Sequence, residues 1–151
     1  MLSAELVEFV ESGVSLLCGT RDVQLRPDCC RAVGAIVGRD RASVTLLLNP
    51  LTAKRTLANL AGGGPVAMTA SRPIDYRTIQ VKGTASPPRP ATETEQMIAQ
   101  RYLAAFTEAL YLVGLQRAVV RRLRVAPAVA IELAITDVFQ QTPGPQAGVK
   151  L

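Results

Sequence analysis

Three short apolar segments between residues 14 and 49 are joined by connections too brief to carry a parallel crossover, so the chain must begin its fold as an antiparallel meander. VSLLCGT (14–20) and CCRAVGAIVG (29–38) are separated by the turn-forming RDVQLRPD, and GRDR leads on to ASVTLLLN (42–49). Short apolar runs bounded by Gly, Pro and Asp read as strands. PVAMTAS and YRTIQVKGTAS supply two more. The second alternates cleanly, with Ile79, Val81 and Gly83 on one face and Thr78, Gln80 and Lys82 on the other. AVAIELAITDVFQ (128–140) returns to period two as a sixth strand.

Helices punctuate this pattern. Ser3 caps a short one through Glu11, with Leu6, Val7, Phe9 and Val10 as its apolar stripe and Gly13 as its end. Asn49-Pro50 reads as a second helix entry, with Asn as cap, Pro in the first turn and Leu57 and Leu60 facing inward until Gly62-Gly63-Gly64-Pro65 stops it. Thr92 and Glu95 form a capping box that opens the longest helix. Along it Ile98, Tyr102, Phe106, Leu110 and Val113 recur at helical spacing as far as Gly114, and the aromatics on that stripe are assigned to packing. SPPRPAT (86–92) reads as a rigid proline-rich linker and QTPGPQAGVKL as a loop-like tail. The expected architecture is mainly β, of the α+β type: a single domain over 1–151, built as a closed or nearly closed six-stranded antiparallel barrel with peripheral helices.

Composition narrows the function classes. With 48% hydrophobic residues the chain is not disordered, while its longest apolar runs, such as 44–48, are far too short to span a bilayer. MLSAELVEFVESG carries acids where a secretory signal would be basic, so a cytoplasmic location and no membrane partner are expected. A net charge of +5 raises the question of a polyanion, but RAVVRRLRV (117–125), the densest basic group, lacks interleaved aromatics for base stacking. It reads as a solvated helix face with Ala118, Val119, Val120 and Leu123 beneath, and no nucleic-acid partner is expected. Three cysteines without a CxxC pair, in a chain with no histidine, argue against a zinc site and against a disulfide framework. Any Ser-His-Asp or Cys-His nucleophile is ruled out. Cys18 reads as a core residue, whereas the neighbours of Cys29 and Cys30 leave their role open.

One stretch points to a ligand. LLLNPLTAKRTLANL places Lys54 and Arg55 in the first turn of its helix, where the dipole is already positive and cations are unfavourable unless an anion joins them. Asn49, Thr52, Lys54 and Arg55 together are a set suited to a phosphate. There is no GxxxxGK[ST] and no GxGxxG after a strand, and the AGGGP run comes at the helix end, where glycine terminates.

CRAVGAIV, LLLNPLTAKRTLANL followed closely by GPVAMTAS, YRTIQVKGTA ending in Gly83, and a late FQQTPGP occur in an order that resembles the pyridoxamine 5′-phosphate oxidase-like family of FMN-binding split barrels, over about 140 residues. The resemblance implies FMN held by Arg31 with its neighbours Ala32 and Val33, by Asn49, and by Thr52, Lys54 and Arg55 around the phosphate. Thr78 and Gln80 would lie near the ring or ribityl chain. It also implies a two-fold homodimer with flavin between subunits, to which Gln140, Gln141 and Thr142 would reach from the partner. Several positions depart from the family pattern: Ala53 replaces an Arg, Ile36 a Lys, Thr78 a Gln and Pro50 an aromatic, while Arg77 matches. Two lost cations, at roughly 1.5–3 kcal/mol per charged hydrogen bond, would weaken phosphate binding about a hundredfold or more if uncompensated. The C-terminal Arg and His pattern of the true pyridoxamine phosphate oxidases is missing, so that activity is not expected. Expected instead is a flavin-dependent oxidoreductase of a small substrate, with a deazaflavin cofactor or a cofactor-free binding barrel as alternatives.

Overall fold

The expected meander is present: β1 (Ser15–Arg21), β2 (Pro27–Val37) and β3 (Ser43–Leu48) pair antiparallel in sequence order. The structure, a computed structural model, describes residues 1–120 and 126–151. After α2 (Lys54–Asn59) the chain adds β4 (Gly64–Ser71) beside β1, then β5 (Thr78–Ala85) beside β4. The closing strand is β7 (Val129–Gln140), which follows β6 (Arg89–Pro90), α3 (Glu93–Leu112) and α4 (Arg117–Val120). Because β7 pairs with β5 along one edge and with β3 along the other, the order β3-β2-β1-β4-β5-β7 returns on itself as a six-stranded barrel.

Alternation fills the barrel. Leu16 and Cys18, Val44 and Leu46, Met68 and Ala70, Ile79 and Val81, and Ile131 and Leu133 all point inward and are buried, as a period of two requires. The VTLLL run of β3 breaks the alternation because β3 is covered on both sides: Leu47, on the outer face, packs with Ala99 of α3 and with Ala128 and Ala130. α1 (Ala4–Glu11) is capped by Ser3 as expected, and Phe9 and Val10 join the main core. α3 opens with the expected capping box and buries Tyr102 and Phe106. At Gly83 the β5–β7 register slips, and a Cβ there would stand 1.8 Å from the Ala134 carbonyl oxygen, so no other residue fits this backbone approach.

Four expectations need correction. Asn49 does not cap α2; the helix starts at Lys54 after Ala53, which makes no side-chain cap. Asn49 instead folds its own turn, Oδ1 accepting from the Leu51 N–H at 2.9 Å, because Asx turns and helix caps use the same local hydrogen bond. The proline-rich 86–92 stretch is not only a linker, since Arg89 and Pro90 form a short seventh strand opposite Ala130 and Val129 that continues the edge of β5. The tail is not free loop throughout, since a bridge between Phe139 and Lys150 folds it back on β7. Within 117–125, α4 buries Val120 but leaves Val119 exposed, and residues 121–125, Leu123 among them, lie outside the described residues.

Candidate functional site

β2 sends Cys30 and Ala32 into the barrel and Cys29 and Arg31 outward. Its register against β3 slips between Ala32 and Gly34, which makes Val33 the extra residue of a bulge and releases its backbone from the ladder. Where β3 ends, the Asn49 carbonyl accepts from the N–H groups of Thr52 (3.1 Å) and Ala53 (2.9 Å), turning the chain past the same spot. Above both, α3 lays Tyr102 and Phe106. The result is a cavity of about 460 Å³ that brings together five of the residues singled out from sequence, Arg31, Ala32, Val33, Asn49 and Thr52.

The far wall is built largely from residues that sequence spacing assigned to packing alone. Tyr102, Leu103 and Phe106 line the cavity, and the Tyr102 and Phe106 rings stack at 5.8 Å with 10° between planes. The helical stripe assigned to packing does pack, and its outer margin also roofs the site; spacing alone cannot separate those roles. Arg31 supplies the charge. Its Nη1 donates to Ser15 Oγ at 2.9 Å, and its guanidinium carbon lies 5.1 Å from the Phe106 ring centre. Tyr102 donates its hydroxyl to the Val14 carbonyl at 2.5 Å. Burial pushes the Tyr102 phenol above its ordinary range, against the opposing charge of Arg31.

Lys54 and Arg55 stand outside the lining. Both are exposed, and Arg55 comes within 3.9 Å of Asp22, an acid in the β1–β2 turn. Asp22 also ties that turn together by accepting from the Gln24 and Arg26 N–H groups, and these bonds with the Arg26 guanidinium hold its carboxyl below the usual range. Part of the charge at the helix start is therefore met within the protein. Among the described residues Lys54 forms no ion pair. Two further bonds dock the helix: Thr56 donates to Asp28 at 2.6 Å and Asn59 to Thr20 at 3.0 Å.

By backbone the chain is similar to HupZ of Group A Streptococcus, with a TM-score of 0.60 at 17% identity over 98% of this chain and 100% of that one. It is similar to an F420 reductase (TM-score 0.56, 12% identity, 91% of this chain and 98% of that one). It is also similar to a pyridoxamine 5′-phosphate oxidase-related, FMN-binding protein of Nostoc punctiforme (TM-score 0.51, 12% identity, 96% and 87%). The fold is the pyridoxamine 5′-phosphate oxidase-like split barrel. No family model matches the sequence and no curated protein matches it, so the likeness is one of backbone.

The split barrel spreads the remaining sequence candidates over a second region. Reading the register across strands, Arg31 faces Leu17, Leu17 faces Thr69, and Thr69 faces Gln80. Arg31 and Gln80 thus share the outer surface three strands apart, about 14 Å at the usual strand spacing. Gln80 donates to Thr69 at 3.3 Å, and the Thr78 and Ser71 hydroxyls are 2.7 Å apart. Gln141 and Thr142 bind the start of β5 through the Thr78 carbonyl and N–H, at 2.8 and 3.0 Å, and Gln140 accepts from Thr142. Arg77 pairs with Glu5 at 2.6 Å and covers Phe9, which makes it a clamp on α1. Beside the row from Arg31 to Gln80, two residues further along the strands, an open groove of about 790 Å³ crosses the outer face of the split barrel, floored by Gly19, Ala67 and Gly83. No described helix is long and apolar enough to cross a membrane.

Proposed function

We propose that the chain is a homodimeric split barrel that holds FMN in the Arg31 cavity and serves a flavin-dependent oxidoreduction of a small substrate. The observation that carries this reading is the convergence of the Val33 bulge, the Arg31 guanidinium and the Asn49 turn on one cavity with an aromatic far wall. Its volume falls within the range of small-molecule sites.

The donor set fits a ligand with an anionic end and a flat, partly apolar body. Arg31 and Thr52 would hold the phosphate, and Lys54 and Arg55 would add positive charge from the adjoining turn. The backbone at Ala32 and Val33 would bond the polar edge of the body, and Tyr102 and Phe106 would exclude water from beside it. A bound flavin supplies the capacity to take up and return an electron pair, so the protein need only bind and orient, and the absence of histidine is no obstacle. Thr78, Gln80, Gln140 and Gln141 would act on the same ligand from the partner subunit, brought there by a two-fold axis through the groove over Gly19 and Ala67.

A second reading is the same cavity loaded with a deazaflavin. It is favoured by the likeness to an F420 reductase and by the net charge of +5, which suits a longer acidic tail. The visible spectrum of the purified protein, followed by titration of colourless protein with each cofactor, distinguishes the two. Saturable FMN binding supports the first reading, preference for the deazaflavin the second, and binding of neither overturns both. Sedimentation velocity tests the dimer, and a monomer at all concentrations overturns it.

A further inference from the structure

Cys18 and Cys30 face each other across β1 and β2, in direct register. Both side chains enter the barrel and both thiols are free, at 0% and 7% exposure. Directly opposed residues of an antiparallel pair have Cα atoms about 4.5–5.5 Å apart, and disulfides span about 4.4–6.8 Å, so this pair lies within the range that a disulfide bridges. Cys29 is opposite Gly19 and points outward, away from both. Cys30 also lines the cavity beneath Arg31, which brings that cavity to within one residue's thickness of the thiol pair.

We propose that Cys18 and Cys30 are a redox-modification site, converted by hydrogen peroxide to a reversible disulfide in the wall of the cavity. The roles are unequal. A bond from the Cys18 thiol favours the Cys30 thiolate over the opposing cost of burial and the nearby Asp28 charge, while the same contact and burial push Cys18 well above the ordinary thiol range. Cys30 is thus the attacking sulfur and Cys18 the resolving one. The Cys30 thiolate attacks a peroxide oxygen, the O–O bond breaks, and hydroxide leaves, giving a sulfenic acid. Cys18 sulfur then attacks Cys30 sulfur, the S–O bond breaks, and the oxygen leaves with the Cys18 proton as water. Two thiols are oxidised to a disulfide, and one peroxide, counting the proton first held by Cys30, is reduced to two waters.

The test treats the purified full chain with excess hydrogen peroxide, blocks remaining thiols, and maps peptides without reduction. The expected result is a fall from three titratable thiols to one per unfolded chain, a fragment-ion assignment of a Cys18–Cys30 link, and reversal by dithiothreitol. Cys29→Ser should keep the link, and Cys18→Ser should leave a dimedone-reactive sulfenic acid at Cys30. Three thiols remaining, a Cys29 disulfide between chains as the sole product, or over-oxidised Cys30 without a link would each overturn the proposal. The wild-type map decides it even where a variant fails to fold.

Discussion

The Arg31 guanidinium lies 5.1 Å from the centre of the Phe106 ring, so a strand residue and a helix residue 75 positions apart in sequence meet across the mouth of one cavity. This contact joins the charge of the site to its apolar wall. It also makes Arg31 the position at which the proposed ligand binding and stability can be separated.

Arg31→Ala should lower FMN affinity at least tenfold, since a charged hydrogen bond to phosphate is worth roughly 1.5–3 kcal/mol. Loss of the partly exposed cation–π contact should cost under about 1 kcal/mol of stability. Fluorescence titration and urea unfolding read the two effects, and an unchanged affinity removes Arg31 from the site.

Lys54 and Arg55 should behave differently although they are adjacent. Arg55 already has Asp22 at 3.9 Å, whereas Lys54 has no ion-pair partner among the described residues. Lys54→Ala should weaken FMN binding several-fold, and Arg55→Ala should change it by less than about threefold, an exposed pair being worth under about 1 kcal/mol. The reverse ranking in titration would assign the phosphate to Arg55.

Gly83→Ala should be among the most disruptive small changes in the chain. The added methyl would meet the Ala134 carbonyl oxygen at 1.8 Å, in the strand pair that closes the barrel. We expect a loss of about 3 kcal/mol or more, seen as a large drop in Tm or as insoluble protein. A variant as stable as wild type would show that the β5–β7 bulge can relax.

Tyr102→Phe should cost about 1–3 kcal/mol, because the Val14 carbonyl loses its 2.5 Å partner inside the core. The ring stack with Phe106 remains in this variant. Tm measures the cost, and nearly unchanged FMN affinity would show that the ring rather than the hydroxyl serves the cavity.

Acid should weaken the entry to α3. The Arg89 guanidinium and the Thr92 N–H hold the Glu95 carboxyl down to about 2, from an ordinary 4.5. A lowered folded value means the stabilisation is complete above the unfolded value and is lost as pH falls from about 4.5 toward about 2. Because Arg89 is nearly half exposed, solvent screening limits the effect to about 1 kcal/mol. Glu95→Gln should therefore be less stable than wild type near about pH 7 and equal to it near about pH 2, by thermal melts at each pH.

The barrel was legible where its cause is local. Ile79 and Val81 alternate with Thr78 and Gln80 because a strand between core and solvent must alternate, and the Thr92–Glu95 box announces α3 within four residues. The Asn49 turn was misread as a cap because both motifs present the same side-chain acceptor to a nearby N–H. The short strand at Arg89 and Pro90 carried no pattern at all and exists only because β7 runs past β5 and offers it an edge. The doubled burial of β3 shows in its VTLLL run, but not what covers it.

By itself, the sequence determined six strands, the antiparallel meander of the first three, the main helices, and a set of cations and hydroxyls suited to an anion. These follow from side-chain periodicity and turn chemistry, which act over a few residues. Only the tertiary structure decided which of those candidates meet: Arg31, Val33, Asn49 and Thr52 around one cavity under Tyr102 and Phe106, with Thr78 and Gln80 on the outer surface three strands away and Gln140 on the opposite face of β7, across from Ile79. It also paired Cys18 with Cys30. Closure of the β7 edges and docking of α3 set those distances, and both depend on contacts between residues far apart in the chain.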